Sequence, residues 1–127
     1  MPNSSVARAR ALVGTGFRLH GRDIAHGLDC VGLAALVFDC PAPSGYPLRG
    51  GSQSGVEAAL SAAGFCRRHA RPRGGDLFLL RPGPAQFHLG IWTGDSLVHA
   101  DLGLRRVVEA PGAPRWPLLS AWTRRRR

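Results

Sequence analysis

The sequence predicts an α+β domain, with helices first and an antiparallel sheet after them. Three observations carry that expectation. The N-terminal half holds three apolar runs compatible with helical spacing, the C-terminal half holds short apolar runs of strand length, and the change falls at the arginine- and glycine-rich stretch Arg67 to Gly75.

Val6 to Val13 alternates small apolar residues with arginine, the pattern of a short amphipathic helix, and Gly14 and Gly16 stop it. Thr15 to Leu28 reads as loop. Asp29 then opens the run CVGLAALVF, which ends at Phe38 and predicts a buried helix with Cys30 in its first turn. Pro41, Pro43 and Pro47 close it. Ser54 to Ala63 predicts a third helix, with Ser54 as cap and Gly64 as stop. The predicted strands are Asp76 to Leu80, Phe87 to Thr93, Leu97 to Ala100 and Arg105 to Glu109, with Trp116 to Trp122 supplying a last one. Gly94-Asp95, between the second and third, suits a type II′ hairpin turn.

A chain of 127 residues fits a single domain spanning 1–127, with 1–5 and 123–127 expected as mobile tails. An apolar share of 44% and a charged share of 20% are those of a folded globule and argue against disorder of the body, while 17 glycines and 10 prolines imply many turns. The net charge of +9 comes from 17 basic residues, all arginine, against 8 acidic ones. Such an excess suits a polyanionic partner: nucleic acid, a membrane surface or the anionic polymers of a bacterial wall. Much of it is local, however, in Arg67, Arg68, Arg71 and Arg73 and in the run Arg124 to Arg127, where a solvated loop and a frayed tail are the simpler reading. No nucleic-acid motif is present and the aromatics do not interleave with the basic runs, so nucleic-acid binding is not expected.

The three cysteines include no C-x-x-C pair, which argues against a disulfide framework or a zinc ribbon and for a reduced setting or a free reactive thiol. Met1 to Arg10 is polar, and no stretch approaches the roughly 18 apolar residues of a membrane span. The expectation is synthesis in the cytoplasm without a signal peptide, and no membrane span.

A thiol attacks as its thiolate, so a catalytic cysteine needs a setting that lowers its pKa. A helix start supplies unpaired N–H groups and a favourable dipole. Cys30 is predicted to sit there, where the same N–H groups can serve a developing oxyanion. Cys40, next to Pro41, and Cys66, before two arginines, lack such a start. A base must come from elsewhere in the chain. In FHLGIWT, alternation sets Phe87, Leu89 and Ile91 on one face and His88, Gly90 and Trp92 on the other. If this strand pairs with LVHA, His88 and His99 approach each other, and the second imidazole orients the first. Zinc held by Cys30, His88 and His99 lacks the close ligand pairing of most zinc sites, so neither a metal nor another cofactor is expected.

The segment GTGFRLHGRDIAHGLDCVGLAALVF resembles the NlpC/P60 cysteine peptidase pattern, in which a G-T-P-Y-x-x-G-like loop leads into D-C-S-G-L at a helix start. FHLGIWTGDSLVHA resembles that family's H-V-G-I-Y-x-G…x-H-A element, and GGDLFLLR its G-D-L strand. The three motifs occur in the family's order and cover roughly Ala7 to Glu109. The resemblance implies a papain-like fold and a peptidoglycan peptide hydrolase acting through a thioester, with Cys30 as nucleophile, His88 as base and His99 as the orienting residue. It implies that Asp29 helps bind a substrate amino group, beside the alternative that it caps the Cys30 helix. Phe17 stands where the family often has tyrosine, and Val31 where it has serine, so substrate selection at these positions departs from the pattern. The likeness to compact phage-tail or gene-transfer-agent forms implies phage-like tail proteins as partners and incorporation into such a particle. The alternative is a tail-tip or wall-binding protein that keeps the fold without turnover.

Overall fold

The computed structural model describes residues 4–41, 48 and 51–124. Helix α1 (Ser4–Ala11) turns Val6 and Ala9 inward and leaves its arginines toward solvent. Helix α2 (Cys30–Phe38) has the bounds its apolar run predicts. Asp29 caps its start, and Asp39 ends it in the left-handed region at φ 53°, its N–H bonded to the Ala35 carbonyl. Helix α3 (Gln53–Ala62) is capped by Ser52 Oγ, which accepts the Gly55 N–H at 3.0 Å. Ser54, the expected cap, lies inside the first turn and bonds Ser52 through its hydroxyl. Two serines two residues apart offer the same cap chemistry, and the extended backbone at Ser52 decides between them.

Between α1 and α2, the expected loop contains two short strands, β1 (Arg22–Asp23) and β2 (Gly27–Leu28), paired with each other. Two residues are too few for any periodicity to register. The remaining strands are β3 (Phe65–Arg68), β4 (Leu77–Leu80), β5 (His88–Trp92), β6 (Ser96–Asp101), β7 (Arg106–Pro111) and β8 (Leu118–Arg124). They form one six-stranded sheet in the order β3-β8-β4-β5-β6-β7, every neighbour antiparallel. The Thr93 N–H bonds the Ser96 carbonyl at 2.9 Å and so closes a turn at Gly94-Asp95 between β5 and β6, where the positive φ of Gly94, 114°, suits glycine.

The helices cover one face of this sheet. Leu77 and Leu79 of β4, Leu89 and Ile91 of β5, and Val98 of β6 pack there with Leu33 and Val37 of α2 and Val56 and Leu60 of α3. Phe78, Leu80, Leu97 and Ala121 form a smaller apolar cluster with Trp92 and Trp116. Central strand β4 is therefore buried on both faces, which explains why LFLL is continuously apolar rather than alternating. Each fully buried leucine contributes roughly 1.5–3 kcal/mol of transfer free energy.

Two arginine assignments change. Arg67 and Arg68 belong to edge strand β3, paired with β8, rather than to a solvated loop, because each has a carboxylate to meet. Arg67 faces Glu57 at 3.6 Å, and Arg68 makes a two-pronged pair with Asp76. At the termini, Ser4 and Ser5 open α1, and Thr123 and Arg124 close β8, where Arg124 bonds the Ala63 carbonyl and lies over the Phe65 ring. These four residues are thus part of the fold rather than of tails. Residues 1–3 and 125–127, and the proline stops at Pro43 and Pro47, lie outside the described residues. No described helix is long and apolar enough to cross a membrane.

Candidate active site

Cys30 is the first residue of α2, and the cap that starts the helix also ties down the preceding loop. Asp29 Oδ1 accepts the Gly32 N–H at 2.9 Å and the Arg22 guanidinium at 2.7 Å, while Oδ2 accepts the His20 N–H at 2.9 Å. The loop passes so close to the helix that a Cβ on Gly32 would collide with the Gly21 carbonyl, so only glycine fits there. Asp29→Ala removes the cap and leaves Arg22 without its carboxylate. It is expected to cost about 1–2 kcal/mol in a denaturant titration. Asn at the same position should recover much of the loss, because it too accepts from a backbone N–H.

The thiol does not have the low pKa that a helix start alone suggests. Cys30 is only 7% exposed, and burial pushes its pKa up to about 12, with the Asp29 charge acting in the same direction. Backbone hydrogen bonds from Leu89 and from Cys30 itself, and the charge of Arg22, pull the other way without overcoming burial. The Leu89 contact places the sulfur against the residue that follows His88.

His88 opens β5 and His99 lies within β6. The register Ile91↔Val98 and Trp92↔Leu97, continued toward His88, puts His88, Gly90, His99 and Asp101 on one face of the hairpin. Gly90 clears that face, since a Cβ there would lie 2.7 Å from Leu97 Cδ1. His88 Nε2 lies 3.1 Å from His99 Nδ1, with the rings nearly perpendicular. Burial holds both imidazoles below the ordinary range, His88 down at about 3. The neighbouring His99 and Arg115 lower His88 further, and Asp101 opposes them. At rest the thiol, bonded to the Leu89 backbone, and the imidazole pair are thus held in their neutral forms. If His88 donates from Nε2 to His99 Nδ1, its own Nδ1 is the unprotonated nitrogen, the form a general base requires.

Of the other sequence-derived candidates, Phe17 is partly buried, packs against the main core and donates its N–H to the Arg105 carbonyl. Val31 points into that core, 6% exposed, among Ala34, Leu60, Leu77 and Leu89. It is a packing residue rather than a wall of the site, because the second position of α2 faces the sheet. Asp29 is a cap already engaged by Arg22. Sequence reasoning missed Arg22, Asp101, Arg115 and Trp116. Trp116 touches both imidazoles, with ring centroids 5.2 Å from His88 and 5.3 Å from His99, and the Arg115 guanidinium sits 4.5 Å from the indole centroid. The expected last strand, Trp116 to Trp122, begins only at Leu118, so Trp116 stands in the bend before β8, and no motif marks R-W-P as part of a site.

Helices packed on an antiparallel sheet, with a cysteine at a helix start and histidines on the adjacent hairpin, define the NlpC/P60 class of α+β fold, and the chain has that architecture. Solved structures agree. The chain is similar to the NlpC/p60 domain of the peptidoglycan hydrolase SagA, at 24% identity over 85% of this chain and 86% of that one, with a TM-score of 0.55. It is also similar to an NLP/P60-family lipoprotein-like protein of Staphylococcus aureus, at 20% identity, 94% of this chain, 40% of that one and a TM-score of 0.59. The peptidoglycan hydrolase RipB of Mycobacterium tuberculosis matches at 22% identity, 95% of this chain, 62% of that one and a TM-score of 0.56. No family model and no curated protein matches the chain.

Proposed function

We propose that this protein hydrolyses peptide bonds in bacterial peptidoglycan, with Cys30 as nucleophile and His88 as general base. The observation that carries the reading is the hydrogen bond between His88 Nε2 and His99 Nδ1, which can hold His88 as the Nδ1 base, while the thiol bonds the backbone of Leu89, the next residue along. The substrate class rests on the fold and on what two of the similar proteins are called.

In this mechanism the Cys30 proton passes to His88 Nδ1 as the sulfur attacks the carbonyl carbon. Opposite charges form together, and at about 4 Å with an effective dielectric constant of ~20 their attraction is worth about 4 kcal/mol, which offsets part of the burial that opposes each charge alone. The backbone N–H groups of Cys30 and Val31, at the open end of α2, suit the oxyanion. His88 then gives its proton to the departing amine, leaving a thioester, and water activated by His88 releases the acid. Incubation of the protein with purified sacculi should liberate fragments carrying new amino and carboxyl termini, detected by mass spectrometry. Since the base works unprotonated and its pKa lies below the usual ~6.5, the acid limb of the activity profile should fall below that value. Sacculi that remain intact at every pH would sink the proposal.

The second reading, a wall- or tail-binding module without turnover, is favoured by the raised thiol pKa and by the hydrogen bonds of Cys30 and His88 running to other partners. It predicts wall binding with no fragments and a Cys30 alkylation rate no faster than that of an ordinary thiol. Delivery by a phage-like tail belongs to the same proposal, and rests on the likeness of the motifs to compact tail-associated forms. Detection of the protein in purified particles by mass spectrometry tests it.

A further inference from the structure

The two histidines do not hold their geometry alone. His88, His99 and Trp116 form a closed trio in which every ring touches the other two, at centroid separations of 5.1, 5.2 and 5.3 Å and interplanar angles of 88°, 82° and 84°. Perpendicular packing of this kind is the favoured arrangement of aromatic pairs. Each imidazole thus packs against the indole as well as against its partner ring. Trp116 is itself anchored, packed against the cluster of Phe78, Leu80, Leu97 and Ala121. Arg115, exposed, stacks its guanidinium on the indole.

We infer that Trp116 and Arg115 are positioning residues for the histidine pair: Trp116 locks the ring orientations that keep the Nε2–Nδ1 hydrogen bond, and Arg115 holds Trp116 in place while setting a fixed positive charge beside both rings. The catalytic meaning of this rests on His88 being the general base, whereas the effect on the rings themselves does not. Two charged groups outside the pair act on both rings. Asp101, on the same hairpin, favours the imidazolium form, and Arg115 disfavours it. Burial acts in the same direction as Arg115 and more strongly. Arg115 thus counters the one carboxylate that would otherwise encourage the base to hold a proton at rest, where it could not accept one from Cys30.

The test uses the full chain and the variants Trp116→Ala, Trp116→Phe and Arg115→Gln, with NMR titration of the two imidazoles alongside cleavage of peptidoglycan fragments across pH. Arg115→Gln should move both imidazole titrations, and the acid limb of cleavage, upward. Trp116→Ala should lower kcat by about 10²-fold with a smaller change in KM, the scale expected for a reacting group misplaced by about 1 Å. Trp116→Phe should restore much of that loss, because it keeps an aromatic edge against both rings. Unchanged titrations in Arg115→Gln, or a Trp116→Phe as impaired as Trp116→Ala, would overturn the inference. Should Trp116→Ala fail to fold, Arg115→Gln, altered at an exposed position, still decides it. Since the titrations need no substrate, a wild-type protein that cleaves nothing but whose imidazoles respond to Arg115→Gln would refute the peptidase reading and leave the electrostatic role standing.

Discussion

Cys30→Ala is expected to reduce peptidoglycan cleavage to the uncatalysed background, while binding to sacculi persists. In the proposed mechanism the sulfur carries the acyl intermediate, and alanine at the start of α2 leaves the Asp29 cap and the helix intact. The histidines should rank below it in a fixed order. His88→Ala removes the proposed proton acceptor and should cost about 10²–10⁴-fold in kcat, the usual range for a general base. His99→Ala should cost less, because in the proposed mechanism His99 orients the base through their hydrogen bond and takes no proton from the thiol. Its burial, at 4% exposed, means that its loss also leaves a void, so equal far-UV circular dichroism must accompany each comparison. Steady-state kinetics on defined muropeptides checks the series. If His99→Ala proves the more damaging, the two roles are exchanged, and full activity in Cys30→Ala would remove the nucleophile assignment.

The largest stability effect should come from a site remote from the chemistry. Asp76 is 2% exposed at the entry to β4, and its carboxylate accepts from Arg68 Nε at 2.5 Å, Arg68 Nη2 at 2.9 Å and the Arg73 N–H at 2.9 Å. Arg68→Ala leaves a buried carboxylate with one backbone partner. Breaking such a pair costs about 3–5 kcal/mol, far more than the pair's net worth, because desolvation of the surviving charge is no longer offset. For a chain of this length the corresponding fall in Tm is about 10–20 °C. Calorimetry of Arg68→Ala, Asp76→Ala and the double variant forms the check. The double variant should lose less than the sum of the singles, because removing both partners leaves no buried charge. Additive losses would show that each side chain acts through packing alone.

The same pair shows where sequence reading stops. Arg67 and Arg68 look like part of a charged loop because four arginines fall within seven residues. What turns them into an edge strand is β8, more than fifty residues on, which offers β3 its backbone, while Glu57 and Asp76 meet the charges. Local composition carries no trace of such a partner. By contrast, α2 is legible from its residues alone. An aspartate able to cap, nine apolar residues and the prolines that follow from Pro41 are all local properties, and they give the helix bounds without reference to the rest of the chain. The hairpin is nearly as legible, because alternation assigns His88, Gly90 and Trp92 to one face, and a two-residue turn sets the register that brings His99 to that face. Trp116 is the opposite case. The sequence places it at the head of the last predicted strand, but β8 begins only at Leu118, and Trp116, in the bend before it, reaches the histidines because β8 inserts between β3 and β4.

On its own, then, the sequence determined the α+β class, the start of the Cys30 helix and the shared face of His88 and His99, since capping, periodicity and turn chemistry act over a few residues. Only the tertiary structure decided that Asp29 is engaged by Arg22, that Val31 is core, and that Trp116 packs against both imidazoles with Arg115 on its indole. It also reversed the expected sense of the Cys30 pKa. The helix start does favour a thiolate, but the desolvation that outweighs it comes from side chains packed around the sulfur by the whole fold, and that sum cannot be read from the neighbours of Cys30 in the chain.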